Sequence, residues 1–354
     1  MNIKFKNITG KELQDFYNSF EEDKTFLQTE KYAKFREAVG ETVLRFGAYE
    51  EAKLVGTALI QKITTRFKTF LHCPHGPLLQ LSMNNDQSTI LDSFLDFYKE
   101  LGKKEGCDFV RISPLINIQR KDKREEIRDN GELNSQLSVF QKQGFRPAPV
   151  HLVNPEKTLV LDITQSEEDI LKQMKKSSRY EINRIGKFGI EVQTGNSTED
   201  LDIFWELHEE TFKRQKFVPF PRKNTEIQLK VWGNDCQIFS AKTDNKFCSS
   251  SIILFDKNAG YYHQGASIYS KAPVANACLW EAIKFAKNKG CKEFNFWGVV
   301  NPENKKHPWW GLSRFKRGFG GEERNFLHCQ DFPITAKYWL NYTIEKYRKW
   351  KKGY

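Results

Sequence analysis

The chain has 354 residues, 39 % of them hydrophobic and 14 % aromatic, and a formal net charge of +11. Such apolar bulk, with 28 Phe, 12 Tyr and 8 Trp, excludes a largely disordered chain and suits two domains of ordinary size. No run approaches the roughly 18 apolar residues of a membrane span, and the first residues lack the apolar stretch of a secretory signal, so the chain reads as cytosolic; its basic balance fits either polyanion partners or a generic lysine-rich surface.

In chain order, residues 44–60 read as two strands around a polar turn, and 70–79 as a third strand. A helix follows, with Ile90, Phe94, Phe97 and Leu101 on one face and Gly106 past its end. Residues 108–113 then give a strand. A new strand, 157–164, leads to a helix that Thr164-x-x-Glu167 marks as capped. Lys172, Lys175, Lys176, Arg179, Arg184 and Lys187 make the next segment strongly basic. Another helix opens near Ser197-x-x-Asp200 and carries Leu201, Phe204, Trp205 and His208 on one face, where His208 reads as a packing residue.

The order then repeats. Residues 238–255 form a hairpin and 260–267 a strand. A helix follows with Leu279, Ile283 and Ala286 aligned and Gly290 as its stop, and 292–299 closes the set. The exits Lys104-Glu105-Gly106-Cys107 and Lys289-Gly290-Cys291 mirror one another. This duplication predicts an α/β (α+β) protein of two tandem GNAT-like, acyl-CoA N-acyltransferase-like domains, 1–155 and 156–330, with mixed twisted sheets flanked by helices.

An acyl-CoA enzyme of that fold holds a pyrophosphate on backbone N–H groups in a glycine-containing loop at a helix start. The corresponding segments here, 270–277 and 82–89, contain no glycine, and Pro273 removes a donor. The seven cysteines are scattered without a C-x-x-C pair, so neither a disulfide framework nor a zinc site is expected. His72-Cys73-Pro74-His75 alternates across a strand and cannot easily converge on one ion. No metal and no cofactor are expected.

Three segments bear a specific resemblance. Phe26-Leu27-Gln28, with Tyr32 and Arg36, resembles the F-L-Q-x-x-x-W-x-x-x-K element of the FemA/FemB/FemX family of peptidoglycan bridge-forming transferases. Lys176, Arg179, Tyr180, Ile182 and Arg184 resemble its K-x-x-R-Y-x-I-x-R helix. Trp309, Gly311, Phe315, Lys316, Phe319, Gly320 and Gly321 resemble its closing W-x-G-(x)-x-F-K-x-x-F-G-G. The antiparallel helical arm of some relatives has no counterpart in the second domain.

The resemblance covers about residues 1–330. It implies aminoacyl-tRNA as donor and, as acceptor, a stem-peptide amine of UDP-MurNAc-pentapeptide or lipid II. No DNA partner is implied, and a lipid-linked acceptor would place the protein at the inner face of the membrane. Segment 331–354 is expected to return to the first domain. Arg36, beside Lys34, falls where the family contacts the precursor diphosphate. The family's second phosphate-binding Arg falls near Phe220, leaving Arg214 and Arg222 as substitutes. Family acceptor-pocket positions fall at Ser113, Asn224 and Gln264, where this chain departs from the pattern. Lys316, after Phe315, falls where a lysine faces the aminoacyl end.

An aminoacyl ester is already activated and its acceptor is the nucleophile, so positioning and a cation at the developing oxyanion account for most of the chemistry. Lys316 is the candidate cation; contact with a tRNA phosphate is the equal alternative. Asp108, Glu322, Glu323 or a substrate phosphate remain open as proton acceptor. Lys175, Lys176, Arg179 and Arg184 either track a tRNA backbone or form a solvated face. Trp309 and Trp310 are read as core, with a stacking shelf for the terminal adenosine as the alternative. In the tail, Lys346-Tyr347-Arg348-Lys349-Trp350-Lys351-Lys352, packing of the aromatic face is expected, with RNA or an anionic membrane as other partners. An acyl-CoA-dependent N-acyltransferase and a non-catalytic tRNA- or envelope-associated protein are the competing functions.

Overall fold

The computed structural model describes residues 3–80, 87–118, 130–150, 154–215 and 221–352. The chain divides into two compact units, one formed by Met1–Glu156 with Asn325–Tyr354 and the other by Lys157–Arg324. The N-terminal run supplies β1 (Ile3–Asn7), α1 (Gly10–Ser19), α2 (Glu30–Ala38), β2 (Thr42–Glu50), β3 (Lys53–Thr64), β4 (Thr69–Pro74), β5 (Leu78–Leu79), α3 (Gln87–Lys104), β6 (Phe109–Ser113), α4 (Asn130–Lys142) and β7 (Arg146–Pro147). The second unit contains β8 (Lys157–Asp162), α5 (Glu167–Gln173), α6 (Lys176–Asn183), β9 (Glu191–Gly195), α7 (Thr198–Gln215), α8 (Arg222–Trp232), β10 (Cys236–Thr243), β11 (Lys246–Phe255), β12 (Ala259–Ser267), α9 (Val274–Asn288), β13 (Glu293–Gly298), α10 (Trp310–Lys316) and β14 (Glu322–Asn325). The chain closes with β15 (Gln330–Pro333) and α11 (Lys337–Lys352).

Both sheets have one plan. β2, β3 and β4 are antiparallel and β4 runs parallel to β6; β10, β11 and β12 are antiparallel and β12 runs parallel to β13. The strand beyond the parallel pair differs in origin. In the second unit it is β8, the unit's own first strand, whereas in the first it is β15, antiparallel to β6. A long helix packs into the core beside each sheet. Ile90, Phe94, Leu95 and Tyr98 of α3 enter one core, and Leu279, Ala282, Ile283 and Ala286 of α9 enter the other. Helical spacing puts these residues on one stripe.

The C-terminal return is held by charge as well as by the ladder. Arg111 on β6 is fully buried, and its Nε and Nη2 donate to the two carboxylate oxygens of Asp331 on β15 at 2.6 and 2.7 Å. Glu345 on α11 accepts from Arg111 Nη2 at 2.9 Å and from Lys68 Nζ at 2.7 Å. Burial disfavours the Glu345 carboxylate, but Arg111 and Lys68 outweigh it and hold its pKa below the ordinary value.

Local signals were partly overridden. Reciprocal Ser197 and Asp200 bonds start α7 as the sequence indicates. At α5 the cap is Ser166, whose Oγ accepts from Asp169 N, while Thr164 bonds instead to Asp162. Ser166 is one residue before the helix and Thr164 three, so only Ser166 has the reach.

Candidate functional site

In the second unit β12 and β13 pair over three positions only, ending at Tyr261 and Asn295, although β12 continues to Ser267. Beyond that point β13 bulges toward β8 and Trp297 takes φ +63°, a conformation that non-glycine residues rarely adopt. Lys316 fills the place where the strands part. Its Nζ donates to the carbonyl of Gly298 on β13 at 2.8 Å and lies 5.3 Å from the ring centroid of Tyr262 on β12. The residue is 5 % exposed, and desolvation pushes its pKa down to about 7. An ammonium held against a carbonyl and a ring face at the carboxyl end of parallel strands is placed to meet developing negative charge. The equivalent pair in the first unit stays closed, with β4 and β6 in register from Phe70–Phe109 to Pro74–Ser113.

The segment carrying Lys316 is fixed by its glycines. Gly321 has φ +88°, and a Cβ there would meet the Val160 carbonyl oxygen at 2.4 Å; Gly320 at φ +84° is similarly pressed on Gln173. Gly318 lies over Ser178 of α6, and its carbonyl accepts from Lys175 N at 2.9 Å. The basic helix is thereby joined to the lysine segment. Lys175 and Lys176 are exposed; Arg179 donates to the Lys172 carbonyl; Arg184 lies 4.8 Å from the ring centroids of Tyr180 and Phe188.

Phe315 packs partly into the core, edge-on to Phe319 at 5.4 Å, immediately before Lys316 in the chain. Trp309 is 53 % exposed, contrary to the expectation of a core residue. Trp309 precedes α10 at its amino end, beside His307, where no element covers it among the described residues. Trp310 is half-buried, its Nε1 donating to the Pro302 carbonyl.

The other sequence candidates in this unit are dispersed. Arg214 Nη2 donates to the Ser267 carbonyl at 2.7 Å, at the far end of β12. Arg222 is engaged with Asp202 and Glu226. Asn224 lies in the first turn of α8, and Gln264 faces Ile252 beside the bulge in β12. Phe220 lies outside the described residues.

In the first unit Arg36 occupies the last turn of α2, its guanidinium paired in two places with Glu41 and close to the Tyr32 and Phe35 rings. Lys34 is exposed. Gln28 anchors this segment, accepting from Leu59 N and donating to the Pro74 carbonyl. Ser113 is buried, its Oγ 3.2 Å from His72 Nε2, which also meets Asn154 Nδ2. Burial and the nearby Arg111 hold His72 well below its ordinary pKa, so it is neutral.

The proposed proton acceptors are occupied. Asp108 accepts from Thr69 N and Thr335 Oγ1; Glu323 is paired with Arg317 and Lys157; Glu322 is paired with Arg324. His208 is stacked on Phe204. The seven cysteines are buried and free, and desolvation raises six of their thiols, Cys278 to about 12, which makes those six poor nucleophiles.

One cluster among the described residues, Glu156, His328 and Cys329, has metal-ligand spacing. His328 donates from Nε2 to the Ala148 carbonyl and meets the Glu156 carboxylate through Nδ1 at 2.6 Å. Both ring nitrogens thus face oxygen acceptors, and Glu156 raises the imidazole pKa against the depressing effect of burial.

Tyr262, Trp297 and the Gly298 carbonyl escaped the sequence reading. Tyr262 lies in a strand whose composition predicts a strand and nothing more, and a backbone carbonyl or a positive φ at Trp has no sequence signal.

Comparison with known proteins follows this geometry. A family model described as "FemAB family" matches residues 8–223, and one for an acetyltransferase (GNAT) domain matches 172–317. The chain is 23 % identical to aminoacyltransferase FemB of Staphylococcus epidermidis, over 98 % of this chain and 99 % of that protein. It is 21 % identical to a lipid II:glycine glycyltransferase of the same species, over 89 % of each. The crystal structure of FemX superposes with a TM-score of 0.80 at 17 % identity, covering 97 % of this chain and 100 % of that one. A tandem GNAT protein from the clavulanic acid pathway superposes at 0.57 over 94 % and 98 %. With a family match spanning well over half of its 354 residues, the chain belongs to the FemAB family.

Proposed function

We propose that this transferase moves an aminoacyl group from aminoacyl-tRNA to a stem-peptide amine of a peptidoglycan precursor, UDP-MurNAc-pentapeptide or lipid II. The observation that carries the reading is the Lys316 ammonium between the parting strands β12 and β13. The amine nitrogen attacks the ester carbonyl carbon, the bond to the ribose oxygen breaks, and the amine proton ends on that oxygen. Lys316 stabilises the negative charge of the tetrahedral intermediate. With Asp108, Glu322 and Glu323 occupied, proton transfer falls to the substrates themselves, a phosphate or the leaving ribose.

Basic α6, joined to the same segment, suits the phosphates of the donor. The absence of glycine from 270–277 and the backbone donor lost at Pro273, just before α9, argue against coenzyme A. The names of the relatives, an aminoacyltransferase and a lipid II:glycine glycyltransferase, point the same way. Arg36 suits the acceptor diphosphate, which would share the guanidinium with Glu41.

Purified protein, bacterial tRNA charged with labelled amino acids, and either precursor form the test. The expected result is a mass increase on the precursor that RNase abolishes. An RNase-indifferent increase with acyl-CoA would replace the donor, and tRNA binding without any product would leave a binding protein.

A further inference from the structure

Contrary to the packing expected of its aromatic face, α11 turns only part of its surface to the sheet. Tyr338 is buried against Phe109, Tyr342 is half-buried, and Glu345 is taken up by Arg111 and Lys68. Trp339, Leu340, Ile344, Tyr347 and Trp350 are exposed, Leu340 to 67 % and Trp350 to 77 %. At helical spacing these five share one arc of about 140°. Lys337 and Arg348 border one side of it and Lys346 the other. The helix has six cations and one carboxylate, and that carboxylate is the buried Glu345, so the solvent side of α11 presents apolar residues, cations and Thr343 but no acidic side chain. The β3–β4 turn, tied to α11 through Lys68 and Glu345, adds Phe67, 80 % exposed, beside Arg66.

Charge and apolar shape select the occupant. A second copy of this face would bring cations against cations. RNA would use the aromatic rings and the charges but has nothing to offer Leu340 and Ile344. An anionic bilayer meets all three, with acyl chains for the aliphatic residues, the interfacial zone for Trp and Tyr, and headgroup phosphates for the flanking Lys and Arg. We propose that α11, with the neighbouring Phe67 turn, docks this protein on the surface of an anionic phospholipid bilayer. The docking goes beyond the transferase reading and stands without it.

The test is sedimentation of the full chain with vesicles of phosphatidylglycerol and phosphatidylethanolamine, against vesicles of phosphatidylcholine alone. Binding to the first and not the second is expected, weakening as salt rises. Leu340→Glu/Ile344→Glu should reduce the partition at least about tenfold, and Lys346→Glu/Arg348→Glu should reduce it comparably. Matching thermal unfolding curves would show that the variants fold. No binding to anionic vesicles, or full binding by Leu340→Glu/Ile344→Glu, overturns the proposal. So does a loss of tRNA affinity in that variant with vesicle binding intact, which assigns the face to RNA. Light scattering that shows a dimer dissolved by the variant would assign the face to a second copy.

Discussion

Burying an ammonium with one carbonyl and one ring for company disfavours its charged form, and Lys316 shows the result in a pKa near 7. In the unfolded chain the same group titrates near its ordinary value, so between the two the unfolded state binds more protons and stability rises with pH. Below pH 7 the folded protein carries the full desolvation penalty. Lys316→Met should therefore raise the melting temperature at pH 6, by an amount that shrinks as pH climbs past 7, while kcat collapses; calorimetry across pH checks the first and single-turnover assays the second. If the lysine acts as a cation, kcat/KM for the donor should fall as pH rises through about 7, whereas a neutral lysine acting as base would give the opposite slope. Arg36→Ala should raise the acceptor KM with little effect on tRNA affinity, and an unchanged KM would remove Arg36 from the acceptor site. Lys316 was singled out through the resemblance, whose most specific segment is dense in glycine and aromatic residues at fixed spacing. Ser113, Asn224 and Gln264 were likewise reachable only through the resemblance.

Among the elements, the buried Arg111–Asp331–Glu345 cluster ties β6, β15 and α11 together. Removing one partner strands a charge in the core, so Asp331→Ala should cost about 3–5 kcal/mol, measured by urea unfolding. Replacing all three by Met or Leu should recover most of that loss, because the desolvation penalty disappears with the charges. The hairpins and the α3 and α9 helices were legible from alternation and from one-sided apolar spacing. The cluster was not, because Arg111 and Asp331 lie in short strands 220 residues apart, and neither strand names its partner. The cap at α5 shows the same limit at short range, since Thr164 and Ser166 both offer a hydroxyl and only the helix start decides between them.

For the molecule as a whole, a net charge of +11 favours approach of a polyanion, and under the proposed function the exposed Lys175 and Lys176 at the start of α6 would convert that pull into contacts. Lys175→Ala/Lys176→Ala should lower the slope of log affinity for tRNA against log salt by about 1.5, as filter binding at several salt concentrations would read. The duplicated plan was visible in the repeated order of strands and helix. The interleaving of the two units follows from β15, and it gives the chain an unusual order of assembly. The second unit is complete once Arg324 has been synthesised, whereas the first, begun earlier, still lacks the strand beside β6. Until β15 and α11 emerge, β6 presents an open edge and Arg111 has no counter-ion, so the half translated first is the half finished last. A chaperone attending the nascent chain would have its work at that edge rather than at the later-made unit.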